Sequence, residues 1–318
     1  MFIENDSKFA KVSIVMPTYN GAKFIHQSID SCLNQTYKDI ELIIVDDGSV
    51  DETPEIIKSY EDKRIKYIKH NENKGLPNAL NTGFKNATGE YLTWTSDDNY
   101  YVENAIEEME LFLNNKRCFF VYCNFYKFNE SGHSDQKIIE LSGQSDLKYS
   151  NNIGPCFLYS KEVKETIGEY DTETMLAEDY DYWIRVSKKY PMCHLKKELY
   201  HYRIHEKSLF STRYKEIQIV ALLVRIKNDI ISTEEGTDLF INTVAKFEGN
   251  YRLNKYICNI FVLRNIETIL KDYKSKKISF AEAKKELRKV IEKIPAFVLN
   301  PNNLKKKIKF HFFKEKLK

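Results

Sequence analysis

The chain has 318 residues, 42% hydrophobic and 30% charged, a balance that excludes wholesale disorder and allows one large domain with an appendage, or two domains. Its formal net charge of +3 is too small to imply nucleic-acid binding across the molecule. No apolar run approaches the ~20 residues of a membrane span, the longest being Ile217–Val224 with Gln218 inside it.

The start, Met1–Lys11, carries Glu4 and Asp6 and has no apolar core, so it does not read as a signal peptide. Val12–Met16 is a short β-branched run, after which Ile25, Ile29 and Leu33 recur at helical spacing. Glu41–Val45 is a second strand, closed by Asp46-Asp47-Gly48-Ser49, and Thr53-Pro54 opens the next helix. Ile65–Ile68 is a weaker third strand, followed by a helical face of Leu76, Leu80, Phe84 and Ala87. Tyr91–Thr95 is a fourth, ending in Ser96-Asp97-Asp98-Asn99. A helical stripe of Val102, Ile106, Met109 and Leu113 leads to a long strand at Phe119–Phe128. The pattern loosens from Glu130 to Lys161. A helix is expected over Asp179–Lys189, then two short strands near His194 and Tyr200–Ile204. Beyond Arg213 the reading is helical, at Ile217–Ile231, Glu234–Phe247, Tyr251–Leu270 and Phe280–Ile291.

The predicted architecture is therefore a two-part α/β chain. Residues 1–212 form a mostly parallel Rossmann-like sheet with flanking helices, and residues 213–318 form a helical C-terminal region. Ligands of such sheets bind beyond the carboxyl ends of the strands, so both acidic clusters are expected on one rim. The six cysteines, Cys32, Cys118, Cys123, Cys156, Cys193 and Cys258, contain no CxxC pair and predict neither a zinc site nor a disulfide framework. Free thiols in a reducing, cytoplasmic setting are expected instead.

Five constellations can carry chemistry. Pro17-Thr18-Tyr19-Asn20-Gly21 puts an aromatic ring at a strand tip, where it can stack on a base, or is only a turn with Asn20 as cap. Asp46-Asp47 can accept hydrogen bonds from a base or ribose, although Asp-Gly is also a turn former. Asp97-Asp98 supplies hard oxygens suited to Mg²⁺ or Mn²⁺, which take one or two protein carboxylates and complete their shell with water and phosphate, or is a solvated turn capping the helix that begins near Val102. Glu178-Asp179 could be a helix cap or could provide a general base. Strand alternation places His201, Arg203 and His205 on one face, a cationic set suited to phosphate. No GxGxxG or GxxxxGK[ST] string occurs.

In this order these strings resemble glycosyltransferase family 2, over about Lys11–Phe210. The strings are VSIVMPTYNGAKFIHQSIDSCLNQTYKDIELIIVDDGSVDET, NKGLPNALNTGFKNATGEYLTWTSDDN, AEDYDYWIRV and YRIHEKSLF. The resemblance implies a GT-A fold and an inverting, metal-dependent transfer of one sugar from a nucleotide diphosphate, a UDP-sugar above all. The acceptor would be a hydroxyl of a glycan or lipid-linked molecule, in cell-surface polysaccharide synthesis. It implies that Pro17 and Tyr19 lie against the base and that Asp47 binds it while Asp46 supports the loop. Lys74 and Asn81 would line the nucleotide or diphosphate, and Asp97 would bind ribose or donor sugar. Asp98 would hold the metal, Asp179 would be the catalytic base, and His205 would reach the metal or the diphosphate. The chain departs from the family at Pro77 and Asn78, where a basic residue is common, and has no QxxRW string, which argues for single-sugar transfer.

Three rivals are weaker. A sugar nucleotidyltransferase needs a cationic Gly-rich loop after its first strand, and here no cation precedes Lys23. A glycosidase needs carboxylates set ~5–9 Å apart across the scissile bond, which adjacent Asp97 and Asp98 cannot supply as a pair, although Asp98 with Asp179 could. A scaffold that lost turnover would not need its acids. In the tail, Lys305–Lys318, lysines interleave with Phe310, Phe312 and Phe313. That fits either an anionic membrane surface at the inner face or a solvated terminus. The helical region offers a surface for a homodimer.

Overall fold

The protein is described by a computed structural model, covering residues 10–130, 132–142, 147–233, 235–236, 238–239 and 263–298. Most of the helix predicted over Glu234–Phe247, residues 251–262 of the next one, Cys258 and the basic tail lie outside the described residues. The described residues fall into two compact units, one ending at Thr212 and one starting at Arg213.

The first unit begins β1 (Val12–Thr18), α1 (Ile25–Leu33), β2 (Ile40–Asp46), α2 (Thr53–Lys58), β3 (Ile65–Lys69), α3 (Leu76–Lys85), β4 (Tyr91–Trp94). It continues β5 (Tyr100–Tyr101), α4 (Ala105–Lys116), β6 (Phe120–Asn129), β7 (Gly132–Ile139), β8 (Phe157–Ser160), α5 (Lys161–Ile167), α6 (Glu178–Ser187), β9 (Cys193–Ile204) and α7 (Leu209–Thr212). The sheet order is β3-β2-β1-β4-β8-β6-β9-β5, with β7 paired to β6. β1, β2, β3 and β4 run parallel, whereas β8 is antiparallel to β4 and β6.

Every residue of β1 is buried and nearly every residue of β2, as expected of parallel strands covered on both faces. On one face Ile14, Met16, Leu42 and Ile44 pack with Ile25, Ile29, Ile106 and Met109 of α1 and α4. On the other, Trp183 of α6 stands edge-on to Phe120 and Phe157 at ring-centroid distances of 5.1 and 4.5 Å. The parallel register sets Thr18 opposite Asp46 and Asp46 opposite Lys69, and the Thr95 amide donates to the Val15 carbonyl at 3.0 Å. The loops after β1, β2 and β4 therefore share one rim.

Two features depart from the sequence reading. The two short strands expected near His194 and Tyr200 are one 12-residue strand, β9. Its pairing with β6 slips twice, around Asn124, and such bulges break the periodicity a strand otherwise shows. Cys118 and Cys193 are joined as a disulfide, not free, because parallel pairing of β6 with β9 brings their Cα atoms to 6.6 Å. Cys32, Cys123 and Cys156 are buried free thiols.

In the second unit, α8 (Tyr214–Lys227), α9 (Leu263–Lys274) and α10 (Phe280–Val298) bury Val220, Leu223, Ile266, Leu270, Ala283 and Leu287. Glu216 joins the first and last of these helices through Arg288 at 3.7 Å. Among the described residues no helix is long and apolar enough to cross a membrane.

Candidate active site

The loops after β1 and β2 are stitched together. Asn20, with φ 55°, donates its amide to Ser49 Oγ at 2.9 Å and accepts from the Val50 amide at 2.9 Å. The Ala22 amide donates to Asp51 Oδ2 at 3.2 Å. Pro17 is buried at the end of β1, while Tyr19 stands 49% exposed at the tip. Buried Asp46 accepts from the Ser49 amide at 2.7 Å and the Tyr67 hydroxyl at 2.9 Å. It braces the loop from within.

Asp47 faces the opening of α3. Its Oδ1 lies 2.7 Å from His70 Nδ1 and accepts the Lys74 amide at 3.0 Å, and its Oδ2 accepts the Lys74 and Gly75 amides at 3.1 and 2.7 Å. A base N–H reaching Asp47 would have to share an oxygen with these donors. Gly48 allows the approach: at φ 82° a Cβ there would sit 2.7 Å from the Glu72 carbonyl carbon. The Lys74 side chain is exposed.

The turn after β4 carries the second acidic pair. Thr18 Oγ1 donates to Asp97 Oδ2 at 2.5 Å, and any Cβ at Gly21 would overlap that same oxygen. Burial, then the neighbouring charge of Asp98, pushes the Asp97 carboxyl up to about 7. β5 pairs with β9 through Tyr100 and His201, which carries the end of β9 beside this turn. There His205 Nε2 lies 3.0 Å from Asp98 Oδ2, while Asp98 Oδ1 is buried with no hydrogen-bond partner among the described residues. A buried carboxylate oxygen left bare is costly unless a cation faces it. Among the described residues no group of three or more His, Cys, Asp or Glu could hold a metal alone. A site of one carboxylate and one imidazole completed by substrate phosphate fits Mg²⁺ or Mn²⁺ chemistry.

α6 presents Glu178 and Asp179 in its first turn. Asp179 accepts the Asn151 side-chain amide and the Tyr180 backbone amide, both at 2.7 Å, and burial raises its carboxyl above the ordinary range. The half-buried Tyr202 phenol is pushed up to about 12, first by burial and then by the charges of Asp98 and Asp179.

Residues 13–170 match the sequence profile described as Glycosyl transferase family 2. A glycosyltransferase of Rickettsia typhi is 32% identical over 264 residues, 77% of this chain and 81% of that one. The chain belongs to glycosyltransferase family 2. The Escherichia coli UDP-Glc:alpha-D-GlcNAc-diphosphoundecaprenol beta-1,3-glucosyltransferase WfaP is 33% identical over 211 residues, 65% of this chain and 82% of WfaP. The solved mannosyltransferase PcManGT of Pyrobaculum calidifontis, in complex with GDP-Man and Mn²⁺, superposes with a TM-score of 0.60 at 16% identity, covering 90% of this chain and 87% of that one. The curled, mostly parallel sheet with surrounding helices is the GT-A fold, and the protein is a glycosyltransferase.

Within this glycosyltransferase some of the residues singled out by sequence have partners of their own in the fold. Asn81 was expected beside the nucleotide, yet its amide pairs in both directions with the Tyr170 backbone, each at 2.8 Å. That pairing pins the segment before α6 to α3. His201 and Arg203 of the cationic set are packed against rings. His201 stacks on Tyr100 and Tyr126 at 4.4 and 4.9 Å, and Arg203 is buried against Phe24 and Phe128 at 4.4 and 4.8 Å. Arg203 instead holds the turn, its Nε donating to the Asp98 carbonyl at 2.9 Å and its backbone amide to Asn99 Oδ1 at 2.7 Å. Thr18, Gly21, His70 and Asn151 are contributors the motif reading did not name as site residues, and of these only Thr18 and Gly21 had a signal, lying inside the string PTYNG.

Glu178 gives a pH prediction. Burial, then Asp179, raises its carboxyl from an ordinary 4.5 to about 8, so the folded state holds a proton that the unfolded chain releases. Stability then falls as pH rises from about 4.5 towards 8, with a slope of at most about 1.4 kcal/mol per pH unit from this group. Glu178→Gln is neutral throughout and flattens that slope. Denaturant midpoints of both proteins at pH 5, 6.5 and 8 check this, and equal slopes would contradict it.

Proposed function

We propose that the protein is an inverting glycosyltransferase that moves one hexose from a UDP-sugar to a hydroxyl of a lipid-linked glycan, in polysaccharide assembly at the inner membrane face. The observation that carries this reading is the Asp98 turn, whose carboxylate meets His205 through Oδ2 and leaves Oδ1 bare and buried. WfaP, by its name, takes glucose from UDP-Glc to a diphosphoundecaprenol acceptor, and PcManGT was solved with a nucleotide sugar and Mn²⁺. These support a nucleotide-diphosphate donor and a lipid-diphosphate acceptor here.

In this reading Pro17 and Tyr19 line the base, and the 74–75 loop held by Asp47 faces the diphosphate. Lys74 adds positive charge near it, and Asp97 accepts a ribose or sugar hydroxyl. Asp98 and His205 would hold a divalent cation, which when bound neutralises charge on the departing diphosphate. Asp179 takes the proton from the acceptor hydroxyl. That oxygen bonds to the anomeric carbon as the bond from this carbon to the diphosphate oxygen breaks, on the opposite side. Its raised proton affinity suits Asp179 to this step, and Asn151 fixes its orientation.

An α-linked UDP-hexose should therefore give a β-linked product. Incubation with UDP-glucose, UDP-N-acetylglucosamine and a synthetic diphospholipid-linked sugar, with anomeric couplings read by nuclear magnetic resonance, checks this. An α-linked product would overturn the single displacement.

A further inference from the structure

His70 closes a circuit beneath the diphosphate loop. It follows β3, and its backbone amide donates to the Asp46 carbonyl at 2.8 Å, one last rung of the ladder with β2. Its side chain is only 8% exposed. Nδ1 lies 2.7 Å from Asp47 Oδ1, and Nε2 lies 3.0 Å from Thr82 Oγ1 on α3. A carboxylate can only accept, so Nδ1 carries a proton, and in the neutral ring Nε2 accepts the Thr82 hydroxyl. Asp47 in turn accepts the Lys74 and Gly75 amides, with Gly75 at the N-cap of α3. Thr82 and Gly75 lie about two helical turns apart. The imidazole thus ties the tip of β2 to the body of α3, while Asp47 ties it to the start of the same helix.

We propose that His70 is the positioning residue of the donor site: through Asp47 it sets the direction of the Lys74 and Gly75 amides. This rests on the reading that the 74–75 loop faces the donor diphosphate. The ring touches no substrate and needs only an N–H at the Nδ1 position and a buried body beneath α3. Nothing in the sequence marks this role, since a lone His at a strand end reads as ordinary core.

The geometry separates two conservative substitutions. The Asn side-chain amide reaches roughly where Nδ1 sits, whereas the Gln amide reaches the Nε2 position. His70→Asn should keep the contact to Asp47, and His70→Gln should lose it although it is the larger side chain. Amide hydrogen exchange reads the loop without any ligand. In His70→Ala and His70→Gln the Lys74 and Gly75 amides should exchange about tenfold faster, the expected cost of losing a hydrogen bond to a charged group. His70→Asn should stay near wild type. Donor KM should follow the same order, rising about tenfold in the Ala and Gln variants with a smaller fall in kcat.

Unchanged exchange at Lys74 and Gly75 in His70→Ala, or equal behaviour of the Asn and Gln variants, would overturn the proposal. So would faster exchange with unchanged donor KM, because the loop would then be set without consequence for the donor. A wild-type protein that binds no nucleotide diphosphate at all would remove the donor-site reading instead, while the exchange data would still decide whether His70 sets the loop. If His70→Ala does not fold, the Asn and Gln pair alone makes the comparison.

Discussion

Replacing Asp179 by Asn should lower turnover by about 10²–10⁴-fold, the contribution of a well-placed general base, and leave nucleotide affinity nearly unchanged. Asn has the same size and can still meet Asn151 and the Tyr180 amide, the groups that hold Asp179 now, but it cannot accept the acceptor's proton. The loss should appear in kcat and kcat/KM alike, as for an interaction made only in the transition state. Burial raises the Asp179 carboxyl, so the wild-type rate should fall on the acid side at a pH above the ordinary Asp range, as the base becomes protonated. The Asn variant should lack that limb. Single-turnover rates over pH 5–9 measure both. A variant retaining more than a tenth of wild-type turnover would assign the base elsewhere.

Asp98→Ala should abolish stimulation by Mn²⁺ and lower turnover by about 10²-fold or more, the order seen when one preorganised charge partner of a transition state is removed. It deletes the bare Oδ1 and also the partner of His205. It spares the turn itself, which Arg203 grips through the backbone carbonyl. The protein should therefore melt near the wild-type temperature while losing activity. Activity against Mn²⁺ concentration, read beside a thermal melt, separates the two effects. Undiminished Mn²⁺ stimulation in Asp98→Ala would remove Asp98 from the metal site.

The parallel half of the sheet was legible because its strands are buried on both faces. Val12–Met16 is apolar but for Ser13, Leu42–Val45 is apolar throughout, and the turn residues after them mark where they stop. Strand–helix alternation then sufficed to expect Asp46-Asp47 and Asp97-Asp98 on one rim, and the register of β1 with β2 and β4 sets the loops after these strands there. What stayed hidden depends on pairing across long stretches of chain. β5 is two residues long and exists only through its partner β9. The region 130–161 read as loose, yet holds β7 and β8, because the short run Phe157–Ser160 has no periodicity of its own.

Side-chain roles were hidden for the same reason. Asn81 reads as a polar residue near a phosphate loop until Tyr170, distant in sequence, takes its amide. Asp47 reads as a ligand for a base, and only the fold shows that its oxygens also meet His70, Lys74 and Gly75. Arg203 reads as a phosphate-binding cation until Phe24, Tyr100 and Phe128 close around it. Residue type and spacing suggested which positions carry charge. Only the fold shows which of those charges are already satisfied.

The most direct measurement is a calorimetric titration of the intact protein with UDP, with and without Mn²⁺, and with Asp98→Ala as comparator. Binding that strengthens with Mn²⁺ in the intact protein and not in Asp98→Ala is the expected result. No binding of UDP or of any other nucleoside diphosphate, with the metal or without it, would contradict a donor site on this rim.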